Sequence, residues 1–248
     1  MLNILIPMGG GAKSFEMAGY SFPKPIIDVN GKTMIEVVVN NLRPQVPHRF
    51  IFVCQRDHYE KYDLHNIFKR ATNNNFEVVL LGGPTAGQAC TVLAAKQYLD
   101  SADGLLIANA DQYINVAIND FLQKALDNNG DGLVMTFKST HPKWSYVRVD
   151  AVGLALETAE KKVISDNATV GLYYFKHGSD YVAAAEAMIN KDIKFNGQFY
   201  VCPCYNELIL ADKKVYIYDI PTEKMHGMGT PEDLAGFLEW SKGNKIKL

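Results

Sequence analysis

The stretch Pro7-Met8-Gly9-Gly10-Gly11-Ala12-Lys13-Ser14-Phe15 follows directly on an apolar run at residues 2–6. Three consecutive glycines at the end of a strand let the backbone take positive φ or approach a ligand closely. Their bare N–H groups form a nest for an anion. Lys13 on one side of the turn and Lys24, within Pro23-Lys24-Pro25, on the other add two cations. This combination suits a polyphosphate, most simply a nucleoside triphosphate; the plainer alternative is a tight turn with solvated lysines. Asp111 is the complementary residue. It follows Gly104-Leu-Leu-Ile-Ala108 within Asn109-Ala110-Asp111-Gln112, and the carboxyl end of a strand is where open α/β sheets bind ligands. A carboxylate there can hold a divalent cation that also touches phosphate oxygens, or it can close an Asx turn. Gln88 ends a second glycine-rich loop, Gly82-Gly83-Pro84-Thr85-Ala86-Gly87. Its amide carries a donor and an acceptor, a useful pair for a base edge or a sugar hydroxyl.

The elements that must position these residues alternate in type. Apolar strands are predicted at 2–6, 50–54, 76–81 and 104–108, with helices at 34–42, 58–72 and 88–99 between them. The helix at 34–42 stands despite its valines because Pro44 stops it and a strand follows at once. Leu64, Ile67 and Phe68 give the next helix one apolar face. This β-loop-α-β-α-β order implies a parallel sheet covered on both faces. A helix at 116–129 and a strand at 133–137 follow. Tyr146, Arg148 and Asp150 then alternate with Val147 and Val149 as a half-exposed strand should. Return strands at 154–158 and 170–175 make this region antiparallel. Helices at 179–190 and 200–210 and a strand at 215–220 lead to a last helix with explicit start signals: Thr230 as cap, Pro231 at the first helical position and Asp233 three after the cap. There is no repeat, low-complexity segment or linker, so the expectation is one domain over 1–248 with two lobes.

Composition narrows the partners. Hydrophobic residues at 48% and charged ones at 21% exclude wholesale disorder. A net charge of −2 gives no broad attraction to nucleic acid. No apolar run is long enough to cross a membrane, and the amino terminus lacks the pattern of a secretory leader. Cys54, Cys90, Cys202 and Cys204 have neither zinc nor redox spacing and read as reduced, mostly buried thiols, hence a cytoplasmic location.

Six segments carry a resemblance. They are the glycine loop; Pro23-Lys24-Pro25 with Val29-Asn30-Gly31-Lys32-Thr33-Met34-Ile35; Gly87-Gln88-Ala89-Cys90-Thr91-Val92-Leu93; Asn109-Ala110-Asp111-Gln112; Glu160-Lys161; and Gly229-Thr230-Pro231-Glu232-Asp233-Leu234. In this order they resemble the sugar-phosphate nucleotidylyltransferase family nearly end to end. The resemblance implies a Rossmann-like (GT-A-type) α/β fold: a mixed, mainly parallel sheet between helices and a smaller antiparallel lobe. About 1–130 would bind the triphosphate and about 131–248 the acceptor. It also implies a reaction. A phosphate oxygen of a sugar 1-phosphate, or of a non-sugar phosphate such as phosphocholine or phosphoglycerol, attacks the α-phosphorus of a nucleoside triphosphate and expels pyrophosphate, in the service of capsule or surface polysaccharide synthesis.

By the same resemblance Lys24, Lys13 and Asp111 are catalytic, with Asp111 holding Mg2+. Met8, Gly9, Gly10, Gly11, Ala12, Lys13, Gly83, Gln88 and Asn109 bind the nucleotide, and Glu160, Lys161, Tyr146 and Glu207 face the acceptor. The partners are therefore a nucleoside triphosphate and a small phosphorylated acceptor, with a homo-oligomer compatible. Two positions depart from the family pattern. The loop arginine that binds pyrophosphate falls on Ser14, leaving Lys13 without arginine's bidentate fork. A second metal-binding Asp falls at about Gly227. These changes motivate an alternative reading, a nucleotide- or sugar-nucleotide-binding protein with weakened catalysis. A glycosyltransferase would need an Asp-x-Asp motif where Asp111-Gln112-Tyr113 stands. An oxidoreductase would need a spaced glycine fingerprint.

Overall fold

A computed structural model describes residues 1–244 and 246. The amino-terminal half runs β1 (Leu2–Met8), α1 (Lys13–Met17), a tight hairpin of β2 (Asp28–Val29) and β3 (Lys32–Thr33), α2 (Met34–Leu42), β4 (His48–Gln55), α3 (Arg56–Lys61), α4 (Leu64–Thr72), β5 (Phe76–Leu81), α5 (Gln88–Leu93), α6 (Lys96–Leu99), β6 (Gly104–Ala108) and β7 (Gln112–Ile114). Then come α7 (Ile118–Asp127), β8 (Gly132–Lys138), β9 (Tyr146–Val149), β10 (Ala155–Ala159), β11 (Asn167–Phe175), α8 (Gly178–Asn190), α9 (Cys204–Leu210), β12 (Val215–Ile220), β13 (Met225–Gly227) and α10 (Pro231–Lys242).

Nine strands form one sheet. Its main path is β10-β9-β11-β6-β1-β4-β5, and β8 joins β11 to β12 beside it. β1 lies between β4 and β6, parallel to both, and β5 extends the parallel run beyond β4. The strand period of two divides the apolar residues between the faces. Ile4 and Ile6 join one core with Phe50, Phe52 and α2, whereas Leu5, Ile51 and Val53 join the other with α5 and α8. Phe52 stacks on Phe68 with ring centroids 4.0 Å apart, which fixes α4 to the sheet. On the opposite face Phe175 stacks on Tyr205 at 4.5 Å.

The expected parallel order and two-faced cover are present, and three expectations, all of helix bounds, are corrected. The helix foreseen at 58–72 is two helices, because Asp63 takes a left-handed conformation with φ 49° between them. The helix at 88–99 breaks into α5 and α6, where Ala95 tightens the turn by bonding to the carbonyl of Val92. The helix foreseen from residue 200 starts at Cys204, after a turn in which the Cys204 N–H bonds the carbonyl of Val201. The region of β8 to β11 is antiparallel as expected; beyond it, α8 and α9 carry the chain across β8, and β12 returns parallel to it. The four cysteines are free, and burial pushes the Cys54 thiol up to about 12. Among the described residues no helix is long and apolar enough to cross a membrane.

Candidate active site

The carboxyl ends of β1 and β6 open into one cavity of about 510 Å³. Met8, Gly9, Gly10 and Gly11 form one wall as they leave β1. Asn109 and Asp111 leave β6 beside them, and Lys24 enters from a 3-10 turn at Lys24–Ile26. Lys24 Nζ donates to Asp111 Oδ2 at 2.5 Å, with both side chains about one-quarter exposed (24% and 21%). The two charges that the sequence placed 87 residues apart therefore meet at the ligand end of the central strands.

Gln88 opens α5 and donates from Nε2 to Asn109 Oδ1 at 2.7 Å, so these two amides line the cavity as a connected pair. The loop before them is clamped from outside. Phe199 N–H donates to Ala86 O at 2.9 Å and Phe199 O accepts from Ala89 N–H at 3.0 Å. Between those bonds Gly87 has φ 130°, and a Cβ there would lie 2.4 Å from the Phe199 carbonyl oxygen, so only glycine fits. A bulge in β11 supports the other amide. The register with β8 shifts between Thr169 and Tyr173, around Gly171 at φ 83°. Gly171 O accepts from Asn109 N–H at 3.1 Å and from Gln112 Nε2 at 3.2 Å. Bulges of this kind redirect groups next to functional sites.

The far end of the cavity is polar and buried. Ser145 donates its hydroxyl to Glu160 Oε2, and Thr169 Oγ1 shares a hydrogen bond of 3.0 Å with the Tyr173 hydroxyl. Burial pushes the Glu160 carboxyl above its usual range, against the opposing pull of the Ser145 hydroxyl and the Lys161 charge. The remaining wall comes from the carboxyl-terminal segment. β13 pairs antiparallel with β7, and Met228 N–H donates to Asp111 O at 2.7 Å, which sets Gly229 against Asp111 and brings Gly227 and Asp233 into the lining of the same cavity. Thr230 caps α10 by accepting from Asp233 N–H at 3.1 Å. The Asp233 carboxylate lines the cavity, with Lys143 Nζ 3.6 Å away.

The cavity thus gathers Met8, Gly9, Gly10, Gly11, Lys24, Gln88, Asn109, Asp111 and Glu160 of the expected site residues. The others lie outside its lining. Ala12 precedes α1 and Lys13 begins it, exposed, with Ser14 next on the same short helix. Gly83 O is held by Gln55 Nε2 at 3.2 Å. Exposed Lys161 sits at φ 50° with its Nζ over the Tyr200 and Phe195 rings at 5.2 and 6.0 Å. Tyr146 is fully buried and donates its hydroxyl to His141 O at 2.7 Å. Glu207 accepts from Lys191 at 2.6 Å in a separate cavity of about 370 Å³ beside α8 and α9. Four residues that matter to the cavity were not singled out for it: Gln55, Lys143, Trp144 and Asp233. Gln55 ends the apolar strand β4, but as an uncharged amide it shows no partner in the sequence. Lys143 and Trp144 lie in a proline-containing loop with no periodicity to mark them. Asp233 was read for its capping position alone.

Comparison with known proteins agrees with this geometry. The profile of the MobA-like NTP transferase domain matches residues 4–170. A nucleoside-diphosphate-sugar pyrophosphorylase from Vibrio cholerae RC9 superposes with a TM-score of 0.82 at 26% identity, covering 95% of this chain and 99% of that one. A glucose-1-phosphate thymidylyltransferase from Bacillus anthracis, solved with a sucrose, shares the fold with a TM-score of 0.79 at 13% identity, over 99% of this chain and 97% of that one. A search of curated proteins gives no match. Since the profile spans the segment that holds the glycine loop, Lys24, Asp111 and Glu160, the chain belongs to the MobA-like NTP transferase family, and it is a nucleotidyltransferase.

Proposed function

We propose that the enzyme transfers a nucleoside monophosphate from a nucleoside triphosphate to a sugar 1-phosphate and releases pyrophosphate. The observation that carries this is the Lys24–Asp111 pair, 2.5 Å apart and facing the Gly9–Gly11 backbone in one cavity. The Vibrio cholerae relative, a nucleoside-diphosphate-sugar pyrophosphorylase by name, supports a sugar phosphate as the acceptor.

The reaction asks for placement and charge neutralisation more than for covalent participation. The N–H groups of Gly9 to Gly11 cradle the β- and γ-phosphates. Gln88 and Asn109 orient the base or ribose with their paired amides. Lys24 neutralises the α-phosphate while an acceptor phosphate oxygen attacks phosphorus; the new P–O bond forms as the bond to the β-phosphate oxygen breaks. Glu160, with Ser145 on one oxygen, accepts from acceptor hydroxyls at the far end. The Asp111 carboxylate fits a magnesium ion, being a hard oxygen donor already carrying a cation, the Lys24 ammonium. When bound, that ion would neutralise phosphate charge and help the leaving pyrophosphate. A sugar nucleotide is the donor for glycosyl transfer, which is the ground for a role in surface polysaccharide synthesis. Free thiols and the need for nucleoside triphosphate favour a cytoplasmic site of action.

Pyrophosphate release measured with CTP, UTP, dTTP, GTP and ATP against sugar 1-phosphates, phosphocholine and phosphoglycerol tests the proposal. One triphosphate and one sugar phosphate should give magnesium-dependent release. Turnover with phosphocholine or phosphoglycerol alone would move the acceptor class. Tight nucleotide binding with no release from any pair would favour the weakened-catalysis reading, which Ser14 and the placement of Lys13 outside the cavity support.

A further inference from the structure

We propose that Asp233 is the second carboxylate ligand of the divalent cation held by Asp111, an assignment that rests on the nucleotidyl-transfer reading above. The family pattern puts a second acid at about position 227, and this chain has Gly227 there. The space a side chain at 227 would enter is not vacant of carboxylate. A Cβ built on Gly227 would lie 3.6 Å from Asp233 Oδ2, and one built on Gly229 would lie 3.0 Å from Asp111 Oδ2. Gly227 ends β13 and Gly229 lies two residues further on. The intervening Met228 is buried. Gly227 and Gly229 are therefore the bare floor of a cradle whose flanks are the two carboxylates, and all four residues line the cavity that contains the glycine loop.

Charge points the same way. Each carboxylate already holds an ammonium group: Lys24 on Asp111 at 2.5 Å and Lys143 on Asp233 at 3.6 Å. Each of the two carboxylates therefore already attracts a cation. A divalent cation competes with both lysines for the carboxylates, and a triphosphate entering the cavity favours that exchange further by offering the lysines its own anionic oxygens. Among the described residues no group of three His, Cys, Asp or Glu side chains is assembled for a metal. Two carboxylates completed by phosphate oxygens and water match what magnesium accepts, whereas an all-protein cage does not. The sequence substitution at 227 is then a relocation of the ligand, from β13 to the first turn of α10.

The test is Mn2+ binding to the whole chain, followed by electron paramagnetic resonance of the free ion, with no nucleotide present. Asp111→Asn and Asp233→Asn should each weaken binding at least about tenfold. Lys143→Met should tighten it, because it removes a competing cation, a change of sign that loss of structure at α10 cannot produce. Placing the carboxylate back on the strand, Gly227→Asp in the Asp233→Asn background, should restore affinity. Circular dichroism checks that α10 survives, and Asp233→Asn retains the backbone N–H that Thr230 accepts. Wild-type affinity in Asp233→Asn, alongside its loss in Asp111→Asn, would overturn the assignment. Pyrophosphate release separates the two levels. Turnover with Mn2+ affinity indifferent to Asp233 keeps the function and removes the ligand. Binding through both carboxylates without pyrophosphate release keeps the ligand and removes the function.

Discussion

Lys24 and Asp111 neutralise one another at 2.5 Å in the resting site, each three-quarters buried. Neither has to be drawn from solvent when phosphates arrive, and this preorganisation makes such groups effective. Lys24→Ala should lower kcat about 10²–10³-fold, a much larger effect than it has on folding stability. Paired pyrophosphate-release kinetics and thermal melts read both, and unchanged turnover would remove Lys24 from the phosphate site. Gln55 is the less visible counterpart. Its Nε2 donates to Gly9 O at 3.0 Å and to Gly83 O at 3.2 Å, joining the two glycine-rich loops at the nucleotide end. Gln55→Ala should raise KM for the triphosphate several-fold, consistent with about 0.5–1.5 kcal/mol per lost bond, and leave KM for the acceptor unmoved. Gln55→Glu should be worse, since it turns a donor into a carboxylate facing two carbonyl oxygens. Lys24 and Asp111 were legible because their charge and their place beside a loop or strand end are visible in the chain. Gln55 was not, because an amide at a strand end shows no partner until its loops are seen.

Elements set which glycines are indispensable, and two of them separate a defect of the site from a defect of the fold. At Gly171 a Cβ would come within 2.1 Å of Asn109 Nδ2, a side-chain atom, in a backbone at φ 83°. At Gly87 it would meet the Phe199 backbone at 2.4 Å, with φ 130°. Gly171→Ala should therefore displace Asn109 and its bond to Gln88, raising KM for the triphosphate, with about 1–3 kcal/mol lost to the left-handed conformation. Gly87→Ala has no side chain to push aside and should melt markedly lower. If the two variants melt alike and bind the triphosphate alike, the clamp on Phe199 has no special weight. The alternation of strands and helices was readable from apolar runs and their stops. The bulge at Gly171, the break at Asp63 and the side on which β12 joins were not. A bulge or a left-handed residue is a choice of backbone angle, and an edge position is decided by which strand is already in the sheet.

Across the whole molecule the site draws on residues from Met8 to Asp233, and its last wall lies beyond the segment 4–170 that the family profile matches. The carboxyl-terminal segment is held there by β13 on β7, by Met228 on Asp111, and by Asn30 Nδ2 donating to Ser241 Oγ at 2.9 Å. None of these long-range pairings leaves a trace in local periodicity, so the last wall was legible only through the resemblance carried by Gly229 to Leu234. The amino-terminal elements have their own tie in Glu36. Its Oε2 accepts from Thr33 N–H at 2.9 Å and from the Thr33 hydroxyl, closing a capping box on α2. Its Oε1 accepts from Arg70 Nε of α4 at 2.7 Å. Burial alone would raise this carboxyl, but the bonds from Arg70 and Thr33 and the Arg70 charge outweigh it and hold the group at about 2, against 4.5 when unperturbed. A carboxyl depressed by folding binds its proton more readily in the unfolded chain. The stabilisation is therefore complete above pH 4.5 and is lost as pH falls toward 2. After allowance for an Arg70 side chain 60% exposed, it amounts to about 2 kcal/mol. Urea titrations at a series of pH values should show wild-type stability falling through that window more steeply than Glu36→Gln, which should already be weaker at neutral pH. Parallel slopes for the two proteins would mean that this buried carboxylate contributes nothing to acid sensitivity, and that the join between α2 and α4 rests on apolar packing alone.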